Sequence, residues 1–134
     1  MAVQMELSRI LIREASDCQI IELREMDGAR TFPILIGLPE AQAIERRLQG
    51  IPIKRPLTHE LLWNVIEEMG GELVSVTIND LADQTFFALL QIRMKDGEMI
   101  EIDSRPSDAI ALGIGRGLPI YVEDHVLNEA QSEI

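Results

Sequence analysis

Polar and apolar positions alternate along the first third of the chain and change period after it. Residues 3–14 (VQMELSRILIRE) place Val3, Met5 and Leu7 on one face, which suits a half-buried strand with a slip near Ser8. Residues 18–25 (CQIIELRE) read as a second strand. Asp27-Gly28 then signals a hairpin into TFPILI, where Pro33 cannot donate to a ladder and marks an edge strand or a bulge. From residue 38 the spacing becomes helical. Pro39 and Glu40 suit a first turn, Ala41, Ile44 and Leu48 share a face, and Gly50 ends the helix. A second helix follows IPIKRP, with Thr58 as candidate N-cap, Leu61, Leu62, Val65, Ile66 and Met69 as its buried stripe, and a stop at Gly70-Gly71.

Strands are expected again over 72–80, 85–94 and 98–103, the last two joined by a turn at Asp96-Gly97. A helix is expected from Pro106 to about Arg116, with Gly113, Gly115 and Gly117 in or after its last turns, then a short strand in LPIYVE. The tail EDHVLNEAQSEI carries Leu127, Ala130 and Ile134 on one side and reads as a short C-terminal helix. The expected architecture is one α+β domain over residues 1–134: a mostly antiparallel or mixed sheet built from hairpins, with about three helices packed on it. KRPLTHELL and SRPSDAIAL both set Arg-Pro just before a helix, a faint internal echo that two chance helix starts would also produce.

Composition narrows the chemistry. The chain has 134 residues, 46% hydrophobic but only 4% aromatic, so its core is aliphatic. No apolar run approaches the roughly 18 residues of a membrane span, nothing resembles a signal peptide, and the single Cys18 forms neither an internal disulfide nor a cysteine zinc site. A cytoplasmic protein without membrane contact is the expectation. Net charge is −11, which leaves no global footprint for a polyanion; any nucleic acid must be met by a local patch. Ten of the twelve bases are arginines, and Arg46, Arg47, Lys54 and Arg55 are their one concentration.

Two short segments carry candidate chemistry. In DSRPSDAIAL the residue before proline is pushed out of the helical region, so Arg105 caps the helix, Pro106 is its first residue and Ser107 its second. Asp108, at the third, is placed to reach back to the cap's backbone N–H and to face the positive end of the helix dipole. Ser104 and Arg105 beside a helix start make an anion site, and Glu101 with Asp103 could instead hold a divalent cation. In IKRPLTHELL, Lys54, Arg55 and Thr58 are candidate phosphate contacts, and His59 sits in a first turn whose positive end disfavours an added proton, as a general base requires. Each residue also has a plain structural role: caps collect serines and acids, and a lone histidine is most often a surface or core-edge residue. Phosphate loops, nucleophile elbows and His-Glu-x-x-His helices are absent.

The segments FPILIGLPEAQAI (32–44), RPLTHELL (55–62) and IEIDSRPSDAIALGIGRGLPIYV (100–122) resemble the signature segments of the bifunctional nuclease domain family, and the similarity runs over almost the whole chain. The resemblance implies an α+β fold, a homodimer or larger homo-oligomer, and hydrolysis of phosphodiester bonds in RNA and DNA. For such a nuclease the candidate residues are His59, Asp103 and Asp108 as catalytic groups, Lys54, Arg55, Thr58, Ser104, Arg105 and Ser107 as substrate contacts, and Glu101, Asp103 and Asp108 as ligands of Mg2+ or Mn2+. The competing expectation is a non-enzymatic oligomeric module that binds a partner protein or a small anion. In it, Arg105 and Asp108 form an ion pair that locks the helix start. The two diverge on whether RPLTHE and DSRPSD share one cleft.

Overall fold

The computed structural model describes residues 1–132. Seven strands and four helices follow in the order β1 (Ala2–Leu11), β2 (Gln19–Glu25), β3 (Thr31–Ile36), α1 (Leu38–Gln49), α2 (Thr58–Glu68), β4 (Gly71–Ala82), β5 (Thr85–Met94), β6 (Met99–Ser104), α3 (Pro106–Ile114), β7 (Ile120–Glu123) and α4 (Asp124–Ser132). One mixed sheet runs β3-β2-β1-β7-β4-β5-β6. It is two antiparallel three-stranded meanders, β1–β3 and β4–β6, joined by β7, which lies antiparallel to β1 and parallel to β4. The expected α+β class holds.

Local sequence signals account for much of this. The register of β1 slips between Leu7 and Arg9, at Ser8. Pro33 lies in the edge strand β3, where its missing N–H costs no ladder bond. Gly97, at φ 88°, closes the turn between β5 and β6. The turn between β4 and β5 gives no such cue: Asp83 and Gln84 both take left-handed φ, 52° and 62°, the pair of values that a type I′ hairpin requires.

One sheet face is apolar. Ile21, Leu23, Phe32, Val76, Ile78, Leu90 and Ile92 are buried there, and α1, α2 and α3 pack over it. The other face, at β4–β6, carries a polar ladder in which Gln91 accepts from the Ser75 and Thr77 hydroxyls and donates to Glu101. Helix α3 is the innermost helix, buried from Pro106 through Gly113 apart from Asp108. Ile110 and Leu112 are fully buried and contribute about 1.5–3 kcal/mol each, so the α3 interior outweighs any single capping contact in fixing that helix. It ends at Ile114, two residues before the expected Arg116, where Leu118 N–H bonds back to the Gly113 carbonyl and the chain turns toward β7.

Helix α4 buries Val126, Leu127 and Ala130 against β3, β4 and β7; Ile134, expected on the same side, lies outside the described residues. No helix among the described residues is long and apolar enough to cross a membrane.

Candidate functional site

The helices that follow the two Arg-Pro dipeptides meet at their first turns. The first turns of α2 and α3 border a cleft of about 670 Å³ whose floor and far wall come from β5 and β6. His59, second residue of α2, sets Nε2 2.9 Å from Oδ1 of Asp108, third residue of α3. The same carboxylate accepts from Arg105 twice, Nε to Oδ2 at 2.8 Å and a terminal nitrogen to Oδ1 at 3.2 Å. Arg105 also approaches Glu40 of the first turn of α1, 3.6 Å away. Three helix starts therefore converge on one arginine and one histidine, and three positive dipole ends share the vicinity with two carboxylates.

Charge states follow from these contacts. Burial pushes the Asp108 carboxyl up, but hydrogen bonds from Arg105 and His59 outweigh it and hold the group below its usual range. Asp108 in turn raises the Arg105 guanidinium. Since an ionised carboxylate only accepts, the His59 Nε2 carries a proton, and the lone pair of neutral imidazole lies on Nδ1. The His59 side chain is 14% exposed, enclosed by the cleft but reachable from it, whereas that of Arg105 is 63% exposed at the rim.

The other expected residues separate into those at the cleft and those elsewhere. Thr58 and Ser104 line it. Thr58 is the first helical residue, not the expected cap: Leu57 caps α2, and the Glu60 carboxylate accepts its backbone N–H at 3.1 Å. Ser104 donates its hydroxyl to the Arg105 carbonyl at 2.8 Å. Ser107 is buried and borders an adjoining groove of about 560 Å³, shared with Glu40, Arg105 and the edge strand β3. Asp108 bonds to side chains of Arg105 and His59, where the sequence pointed to the cap's backbone. Lys54 and Arg55 are not at the cleft; they lie on the other flank of α2.

The expected metal set is corrected by strand alternation. On β6, Ile100 and Ile102 pair with Ile92 and Leu90 on the helix-covered face, which sends Glu101 and Asp103 to the polar face beside Gln91. Asp103 borders the cleft as part of the β6 strand end, with its side chain on the side away from Asp108. Among the described residues no group of three or more His, Cys, Asp or Glu could hold a metal ion. Glu101, Asp103 and Asp108 do not fit a shared Mg2+ or Mn2+.

Sequence reasoning missed Glu40, which looks like any first-turn acid, and the apolar wall. Phe86 stacks on Phe32 with centroids 5.5 Å apart, and Leu62 and Ile102 are exposed at the cleft. Adjacent phenylalanines on one strand signal only opposite faces, so nothing local marked Phe86.

Residues 21–134 match the model of the bifunctional nuclease domain. An uncharacterized protein of Mycobacterium tuberculosis is 40% identical over 121 residues, which cover 90% of this chain and 71% of that protein. "Bifunctional nuclease 2" of Oryza sativa subsp. japonica is 31% identical over 114 residues, and "Bifunctional nuclease 1" of Arabidopsis thaliana 25% over 109. These cover 83% and 79% of this chain but only 35% and 34% of the plant proteins, which are about three times the length matched. With a family match over residues 21–134, the chain belongs to the bifunctional nuclease domain family.

Proposed function

We propose that the protein hydrolyses phosphodiester bonds in RNA and DNA at the His59–Asp108 cleft. The observation that carries this reading is the 2.9 Å hydrogen bond between His59 and Asp108, which joins two helices far apart in sequence and orients an imidazole into a cleft. Neutral His59 accepts a proton from water at Nδ1 while the water oxygen bonds to phosphorus. Asp108 stabilises the imidazolium so formed. The P–O ester bond breaks, and the leaving alkoxide takes its proton from solvent. Arg105, exposed at the rim, and the N-termini of α2 and α3 offset the charge that builds on the phosphoryl oxygens. Thr58 and Ser104 are rim contacts for the substrate. Ser107, buried beside the adjoining groove, supports the α3 start instead.

The test uses purified protein with RNA and with single-stranded DNA. His59→Ala is expected to lower turnover of both by about 10²–10⁴-fold, and Asp108→Asn to lower it as well. Nuclease activity that is unchanged in both variants, or that separates from the protein on further purification, ends the reading.

An oligomeric role has its own support. Leu61, Val65 and Met69, expected in a buried stripe, instead face outward along α2 and its C-cap, and Met69 is 75% exposed. Such a stripe suits contact between copies of this chain. Sedimentation of the wild type against Leu61→Glu/Val65→Glu tests it: a monomer in both excludes a homo-oligomer built on this face.

A further inference from the structure

The flank of α2 that faces away from His59 holds a second concentration of chemistry. Arg47, Lys54, Arg55 and Arg116 line a depression of about 280 Å³ with Trp63 at its side. It adjoins a shallower depression lined by Arg46 and Gly115. In a chain of net charge −11, five of the twelve Lys and Arg residues border this one place. Glu60 is the one acid among the lining residues, and Arg47 engages it at 2.6 Å.

The arrangement is built in depth. The Arg47 side chain is nearly buried; besides Glu60 it donates to the Leu112 carbonyl at 3.0 Å and passes across Gly115, where an added Cβ would meet its guanidinium at 3.0 Å. The Arg116 guanidinium lies over the Trp63 ring, 4.4 Å from its centroid. Trp63 is 8% exposed, and its indole Nε1–H is buried without a hydrogen-bond acceptor in the protein, as is the Arg47 Nε–H. A buried donor left without an acceptor is costly, and both belong to residues that line the depression.

A ligand for such a surface must bring acceptors and negative charge, since the one lining acid is already paired. Arginine forks match the geometry of tetrahedral oxyanions, and a cluster of cations around one depression favours a phosphoryl group over a single carboxylate. We propose that Lys54, Arg55, Arg116 and Trp63 form a phosphate-binding site distinct from the cleft. It takes the phosphoryl group of a nucleic acid strand or of a free mononucleotide. The site shares no lining residue with the cleft; the first turns of α2 lie between them. It stands whether or not the cleft hydrolyses phosphodiesters.

Calorimetric titration of the full chain with inorganic phosphate, a 5′-mononucleotide, a short single-stranded oligonucleotide and a poly-glutamate peptide tests it. Saturable binding is expected in the wild type and unchanged in His59→Ala. It weakens about tenfold, the size of one charge-assisted hydrogen bond, in Arg116→Ala and in Lys54→Ala/Arg55→Ala. These side chains are exposed, so the variants retain the fold. For the oligonucleotide, the slope of log affinity against log salt shallows by about 0.7 for each cation removed. Binding of phosphate or mononucleotide assigns the site to a free ligand; binding of the oligonucleotide alone assigns it to a strand. The proposal is overturned by no saturable binding of any phosphate probe, by binding that the variants leave unchanged or that His59→Ala abolishes, or by a glutamate peptide that binds as tightly.

Discussion

The same dipeptide starts two helices and does different work in each. Before α3, Arg105 is the cap itself and Pro106 the first helical residue, so the guanidinium stands at the mouth of its own helix and grips Asp108. Before α2, the helix begins two residues later relative to the proline. Leu57 is the cap, Pro56 precedes it, and Arg55 is carried away from the cleft to the opposite flank. Burial differs too: Pro106 and Ser107 are buried, whereas Leu57 and Thr58 are exposed. The α3 start is locked by the core and presents a fixed carboxylate. The α2 start is held from outside, by Glu60 on the Leu57 N–H and on Arg47, and presents the titratable ring. Where a helix begins relative to a motif decides which way that motif's charge faces.

The sharpest way to break the comparison is to remove the ring. His59→Ala should cost about 10²–10⁴-fold in turnover, the contribution of a positioned general base, with unfolding free energy changed by about 1 kcal/mol. Full activity in that variant would reduce the α2 start to scaffolding. Next is the outside clamp. Glu60→Ala leaves nearly buried Arg47 unpaired and should lower stability by about 3 kcal/mol, read from urea unfolding; an effect under 1 kcal/mol would mean α2 needs no such clamp.

Asp108→Asn comes third, at about 1–2 kcal/mol near neutral pH. Its pH dependence has a defined sign. The folded pKa of Asp108 is depressed, so its charge-dependent stabilisation is complete above the unfolded value near 4 and is lost as pH falls through the lower folded value. Wild type and Asp108→Asn should therefore converge in stability below about pH 4; a constant gap down to pH 2 refutes the linkage. The smallest expected effect is that of Thr58→Ala, within about 0.5 kcal/mol by urea unfolding, because an exposed first-turn residue with Leu57 as cap has no capping role to lose.

The legible parts of the fold were those fixed by neighbours in sequence. Ser8, Pro33 and Arg105 each carry a local steric or hydrogen-bonding constraint, and each sits where that constraint puts it. The convergence of the two Arg-Pro helix starts was legible as a question only, because it depends on contacts 49 residues apart in the chain. Alternation correctly grouped Glu101 with Asp103, but which sheet face the helices cover is set by the partners of β6, so their distance from Asp108 was not readable. Arg47 reads as one of four clustered surface cations; its near burial follows from the approach of α3, through Gly115, and from Glu60. The Asp83-Gln84 turn escaped notice because neither residue is a glycine.

The place of β7 in the sheet bears on how the molecule assembles. Each meander pairs strands consecutive in the chain, but they become one sheet only when residues 120–123 enter between β1 and β4. Residues 120–123 are the last of the seven strands to be synthesised, so until they emerge the flanks of β1 and β4 stay unpaired. Their joining has high contact order, the step that topology makes slow. Until it occurs, those two open edges are where a second nascent copy could pair.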